Sequence, residues 1–173
     1  MIIHIINRQN VCKPNNSRIK VVLNFLMANA APDFAASGRA ELSLLLTDDE
    51  NIRKIKRHFF DVDRVTDVIS FSSRPLPADD KHRTAEIVVN VERARLEGKK
   101  RRGFEHEFAL YLAHGCDHLA GHDDRTTRER NKMRRRELRW LKMATKLRLL
   151  AGLFMPALNP KHDSLKKKLI SRP

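Results

Sequence analysis

His114-Gly115-Cys116-Asp117-His118-Leu119-Ala120-Gly121-His122-Asp123-Asp124 carries two histidines four residues apart, a glycine three further on, and acids beyond it. One turn of α-helix takes about 3.6 residues, so His114 and His118 stand on one helix face, one above the other. Their imidazoles can converge on a single ion at roughly 2.0–2.1 Å each, the distance zinc prefers. Gly121 stands where that helix should stop, because glycine adopts the left-handed conformation of a helix end at little steric cost. The chain can then fold back and bring a third ligand to the same ion. Asp124 and His122 are the candidates. Three protein ligands leave one coordination position for water, which distinguishes catalytic from structural zinc. Cys116, two residues from His114, points away from that face and reads as a small buried apolar residue.

Paired histidines at this spacing also arise by chance. The composite pattern H-x-x-x-H-x-x-G-x-x-[HD] is far more specific, and it is the spacing of the metzincin proteases. Gly115 stands in the position of their glutamate general base, and Asp124 in that of their last histidine. A zinc metalloprotease is therefore the weaker functional reading.

The segment before the motif, from about Phe104 to Ala120, reads as the helix that carries it. Phe108, Leu112 and Leu119 can pack it on a sheet, and Ala109 and Ala113 permit close approach. Upstream, Ile2–Ile6, Ala40–Leu46, Thr66–Phe71 and Thr84–Val91 read as strands from their apolar, β-branched and alternating composition. A helix is expected over about 18–30 with Ser17 as its N-cap, followed by a loop from Asp33 to Gly38. Thr47-Asp48-Asp49-Glu50 reads as a capping box, ahead of a helix whose buried stripe is Ile52, Ile55 and Phe59. Ser72–Arg83 is a loop rich in Pro and Asp, Val91–Gly98 is helical, and Gly98–Gly103 is a basic turn. A last helix starts near Thr126-Thr127 with Leu138, Leu141 and Ala144 as its apolar line. From Gly152 a frayed basic extension is expected, with a short amphipathic piece near Leu153–Leu158. Four strands in a mixed sheet packed with helices define a single-domain α+β fold, 1–150, and a basic C-terminal extension, 151–173.

The chain's 173 residues favour one domain, and 41% apolar content suffices for a core despite 32% charged residues. Cys12 and Cys116 are far apart and form no CxxC pair, which fits free thiols in a reducing compartment. The net charge of +14 is lopsided. Residues 125–173 hold 16 Lys and Arg against 3 Asp and Glu, whereas the first 124 residues are nearly balanced. Such a segment condenses onto polyanions by releasing counterions, or is simply a solvated basic face. No run of 18 apolar residues is present, so no membrane span is expected. Lys20 and Val21–Met27 imitate a signal peptide, but Asn24 interrupts the apolar run and it starts late, so a cytoplasmic protein is expected.

Together these segments resemble the YbeY family of metal-dependent endoribonucleases, which act in ribosomal RNA maturation. The likeness runs from about Ala40 to Arg136, with weaker agreement from Met1. The family's motif H-G-x-L-H-L-x-G-Y-D-H is matched by His114, Gly115, His118, Leu119, Gly121 and Asp123. Its T-D-V-L-S-F strand is matched by Thr66-Asp67-Val68-Ile69-Ser70-Phe71, and its G-D-I strand, altered, by Ala85-Glu86-Ile87. The acidic Thr47–Glu50 after an apolar strand also fits. The departures are specific. The family's third histidine falls on Asp124 and its tyrosine on His122, and motif position favours Asp124 as the third ligand. The motif leucine is Asp117, which either orients His114 or faces solvent. The family arginine ahead of the T-D-V strand falls on Phe60, and neither Arg57 nor Arg64 matches it by position.

The resemblance implies a zinc-dependent endoribonuclease for single-stranded RNA in ribosomal RNA processing. His114, His118 and Asp124 would hold one zinc per chain. Other divalent transition metals also accept imidazole and carboxylate. Ribosomal RNA or ribosomal particles, and ribosomal proteins with them, are the implied partners. The sequence fixes no catalytic base and no RNA-binding residue. A catalytically impaired RNA-binding protein of the same fold is the alternative.

Overall fold

The structure, a computed structural model, describes residues 1–72 and 83–155. Runs of β-branched and leucine residues form β1 (Ile2–Asn7), β2 (Ala40–Thr47), β3 (Val68–Ser72) and β4 (Arg83–Asn90). Between and after them lie α1 (Asn16–Ala30), α2 (Pro32–Ala36), α3 (Asp49–Phe60), α4 (Val91–Gly98), α5 (Phe104–Leu119) and α6 (Thr127–Lys146). The sheet order is β1-β2-β4-β3. β1 and β4 both run parallel to β2, and β3 pairs antiparallel with β4. This is the mixed four-stranded α+β domain expected.

The period-2 alternation of a strand places the two cores. Leu42, Leu44 and Leu46 of β2 have no exposure and join the main cluster with α1, α5 and α6. Leu45 points to the other face, where it packs with Ile52, Ile69 and Val88 beneath α3. Residues 21–27, the signal-like run, lie inside α1, whose Val22, Leu23, Leu26 and Met27 are fully buried in the main core. Among the described residues no helix is long and apolar enough to cross a membrane.

Several local expectations are corrected. Asn15 rather than Ser17 caps α1, its side chain accepting the Arg18 N–H at 3.3 Å. The segment expected as a loop after α1 contains α2, started by Pro32, whose fixed φ suits a first helical turn. Asp48 rather than Thr47 caps α3, accepting the Asn51 N–H at 2.8 Å. Thr47 ends β2, and among the described residues its buried hydroxyl has no partner. In α3 only Ile52 is buried, while Phe59 is 62% exposed. The inward stripe of α6 is Met133, Glu137, Trp140, Leu141 and Ala144, and Leu138 faces out.

Gly152–Met155 is not frayed. Leu153 and Phe154 are buried, and the Phe154 ring stacks on Phe104 at 4.4 Å. The Glu105 carboxylate accepts the N–H groups of Gly152, Leu153 and Phe154, and Arg18 donates to the carbonyls of Arg148 and Ala151. The rest of the expected extension, 156–173, and most of the Pro/Asp-rich loop, 73–82, lie outside the described residues.

Candidate metal centre

Helix α5 presents successive stripes set by its period. Phe108, Leu112 and Gly115 share one; Glu107, Tyr111, His114 and His118 share another. Gly115 explains how closely the helix lies on the sheet. A Cβ there would come within 3.1 Å of Val68, Ser70 and Ile87, and the Ser70 hydroxyl donates to the Gly115 carbonyl at 3.1 Å. The position where a metzincin carries its glutamate therefore faces β3 and β4. Cys116 is fully buried and its thiol is pushed up by burial, then by the Asp117 charge. It is the inert apolar residue expected.

α5 ends as expected. Gly121 has φ 85° and its N–H reaches the His118 carbonyl at 2.9 Å. The turn brings Asp124 back to the histidine pair. The candidate ligand atoms of His114, His118 and Asp124 all lie within 4.8 Å of one another. His122, the other candidate, lines the same cleft but is outside that group, its Nδ1 2.9 Å from Asp117 Oδ1.

The outer nitrogens of both histidines are engaged. His114 Nδ1 lies 2.6 Å from Glu137 Oε1, and His118 Nδ1 lies 3.0 Å from the His122 carbonyl oxygen. Neither oxygen can donate when Glu137 is ionised, so each Nδ1 carries the hydrogen. In the neutral rings both Nε2 atoms are then bare acceptors. They face each other at 3.2 Å. Two lone pairs at that distance repel unless a proton or a cation lies between them. Burial, the largest influence on His114, lowers its pKa. The Glu137 hydrogen bond and charge, with Asp67 and Asp124, outweigh it and hold His114 above the usual histidine range. The pocket is thus built for positive charge.

Sequence reading missed the supports of this cluster. Glu137 is 3% exposed and is the polar member of the buried α6 stripe. Its signal was a lone acid among arginines at helical spacing from Met133 and Trp140. Asp117 neither orients His114 nor faces solvent: it is fully buried, held by the Arg136 guanidinium at 3.1–3.3 Å and by His122. Arg130 holds the ligand loop by donating to the carbonyls of Asp124 and Arg125 at 2.9 and 3.1 Å. Thr126 caps α6 in a reciprocal capping box with Glu129. Asp67, at the head of β3, lines clefts on both sides of His114. The larger cleft, about 680 Å³, opens between the end of α3 and the ligand loop, and Lys56, Phe60, Arg64 and Arg125 line it.

Residues 4–145 match the family model described as endoribonuclease YbeY. The endoribonuclease YbeY of Desulfitobacterium hafniense is 34% identical over 142 residues, covering 76% of this chain and 90% of that protein. The Salinibacter ruber endoribonuclease YbeY is 33% identical over 115 residues, covering 63% of this chain and 73% of that protein. A solution structure of a Thermotoga maritima protein shares the fold with a TM-score of 0.54 at 19% identity. It covers 85% of this chain and 92% of its own.

Proposed function

The chain belongs to the YbeY endoribonuclease family, and on that premise we propose that it is a zinc-dependent endoribonuclease. The proposed substrate is single-stranded RNA, cut during ribosomal RNA processing and maturation in the cytoplasm. One observation carries the metal assignment: two imidazole Nε2 atoms 3.2 Å apart, with outward Nδ1 atoms engaged and a carboxylate beside them. His114, His118 and Asp124 supply the ligands. Two imidazoles and a carboxylate are a donor set that zinc accepts, with a position left for water or substrate. A zinc ion so held supplies Lewis acidity toward a phosphoryl oxygen and lowers the pKa of its water to about 7.

The chain's own residues set the rest. Glu137 orients His114 and raises its basicity, the usual role of a carboxylate behind a ligand histidine. The His122 carbonyl fixes His118. Arg130 keeps Asp124 in place through the backbone. Exposed basic residues of α6 hold the RNA backbone by charge, with the basic residues of 156–173 adding to them in sequence.

The test pairs zinc quantification with a ribonuclease assay on wild type and His118→Ala. Expected are about one zinc per chain and RNA cleavage in the wild type, with both lost in the variant. Absence of zinc under gentle, chelator-free preparation sinks the metal assignment. The replacement of the family arginine by Phe60 favours one second reading, an RNA-binding protein without cleavage. Zinc-loaded wild type that binds RNA and never cuts it, with binding unchanged in His118→Ala, would establish that instead.

A further inference from the structure

Helix α3 ends in two phenylalanines that its amphipathic pattern would bury, yet Phe59 is 62% and Phe60 51% exposed. They are held in place all the same. Phe60 stacks on Phe71 of β3 with ring centroids 5.9 Å apart and planes 21° from parallel, and Phe59 tilts against the same ring at 5.0 Å. Phe60 is thus a braced flat surface with about half its area in solvent. It lines the same cleft as His114, His118 and Asp124.

Asp67, Asp123 and Asp124 line the cleft at the head of β3 and in the ligand loop, whereas the charged side chains it takes from the end of α3 and the turn beyond are cationic. Lys56, one turn before Phe60, and Arg64, just beyond the helix, line it too. The connecting turn is strapped by a two-pronged Arg53–Asp63 pair, 2.7 Å at each prong, which fixes the base from which Arg64 extends. Among the described residues, neither Lys56 nor Arg64 has a carboxylate at ion-pair distance. A braced aromatic plane beside two uncompensated cations is the arrangement that holds single-stranded nucleic acid. The ring takes a base by stacking and the cations take the phosphates. An apolar protein anchor would leave both cations desolvated and unpaired.

We propose that Phe60 is a stacking platform for one nucleobase of a single-stranded RNA lying in the metal cleft, with Lys56 and Arg64 neutralising the flanking phosphates. This rests on the endoribonuclease reading of the same site. It also gives a role to the position where the family arginine is missing.

The experiment uses the full chain and a short 2′-O-methyl single strand, which resists cleavage, and the same strand without bases. Affinity is read by fluorescence anisotropy. Wild type is expected to prefer the base-bearing strand on the order of tenfold through this ring. Phe60→Ala loses that preference and Phe60→Tyr keeps it. Arg64→Ala weakens both strands alike and flattens the salt dependence. A Phe60→Ala variant that still prefers the base-bearing strand to the wild-type extent overturns the proposal. So does wild-type protein that binds neither strand, as expected of a platform for a protein partner. Because the strand is not cut, the readings separate. Stacking without cleavage of natural RNA removes the nuclease function and leaves Phe60, and cleavage without stacking does the reverse.

Discussion

The two flanks of α5 are built from opposite chemistry. Toward the sheet, Phe108 and Leu112 are buried in the apolar core and the bare backbone at Gly115 meets β3 and β4, a flank with no charge. Toward α6, the helix buries ions: His114 against Glu137, and Asp117 against Arg136. Apolar burial supplies stability in proportion to area and is indifferent to pH. Buried ion pairs add little net stability, because desolvation offsets their attraction. The sheet flank therefore fixes where the helix lies. The α6 flank fixes how the His114 imidazole points and how tightly it holds its proton.

The sharpest test of that division is Leu112→Ala. Leu112 has no exposure, and its truncation should cost about 2–5 kcal/mol in denaturant unfolding. Metal affinity of the folded fraction should stay within a factor of two. A loss of affinity on the scale of a lost ligand would show that the two flanks are not separate.

Glu137→Gln attacks the other flank. It keeps the shape but removes the charge behind His114. Metal affinity should fall about 10–100-fold, with a smaller change in unfolding free energy than for Leu112→Ala. An unchanged affinity would mean that Glu137 serves only to pack α6.

The smallest effect expected is in pH dependence. His114 titrates above its ordinary value of about 6.5 because Glu137, Asp67 and Asp124 outweigh burial. Its raised pKa stabilises the metal-free fold fully below the ordinary value, and that contribution fades as pH rises through the raised one. Metal binding must expel the same proton, so affinity should climb over the same window. Chelated protein should thus become slightly less stable as pH rises from the ordinary histidine value through the raised one, while zinc affinity increases. Glu137→Gln should shift both changes to lower pH, and identical profiles in variant and wild type would refute the linkage.

Legibility in the sequence follows the same division. The sheet strands, the helix spacing of His114 and His118 and the stop at Gly121 were readable, because each rests on a local period or a local backbone need. Phe108 and Leu112 were readable as packing residues for the same reason. Glu137 was not, because its partner lies 23 positions away in sequence and only the α5–α6 crossing brings them together. Asp117 was misread because its burial depends on Arg136, again a tertiary fact. Leu153 and Phe154 were assigned to the extension because no local period marks them, although Glu105 and the aromatic pair Phe104 and Phe108 hold them. Phe59 was placed in the core by helical period alone, which does not say where the adjoining sheet ends.

Asp117 and His122 replace the leucine and tyrosine of the family motif, and the structure puts their side chains 2.9 Å apart with Arg136 closing the group. Restoring leucine alone would leave the Arg136 cation facing hydrocarbon, and restoring tyrosine alone would take one partner from a fully enclosed carboxylate. A lineage moving between the two arrangements therefore crosses a weakened intermediate or exchanges these positions together. The departures beside the ligands are thus coupled to one another through Arg136.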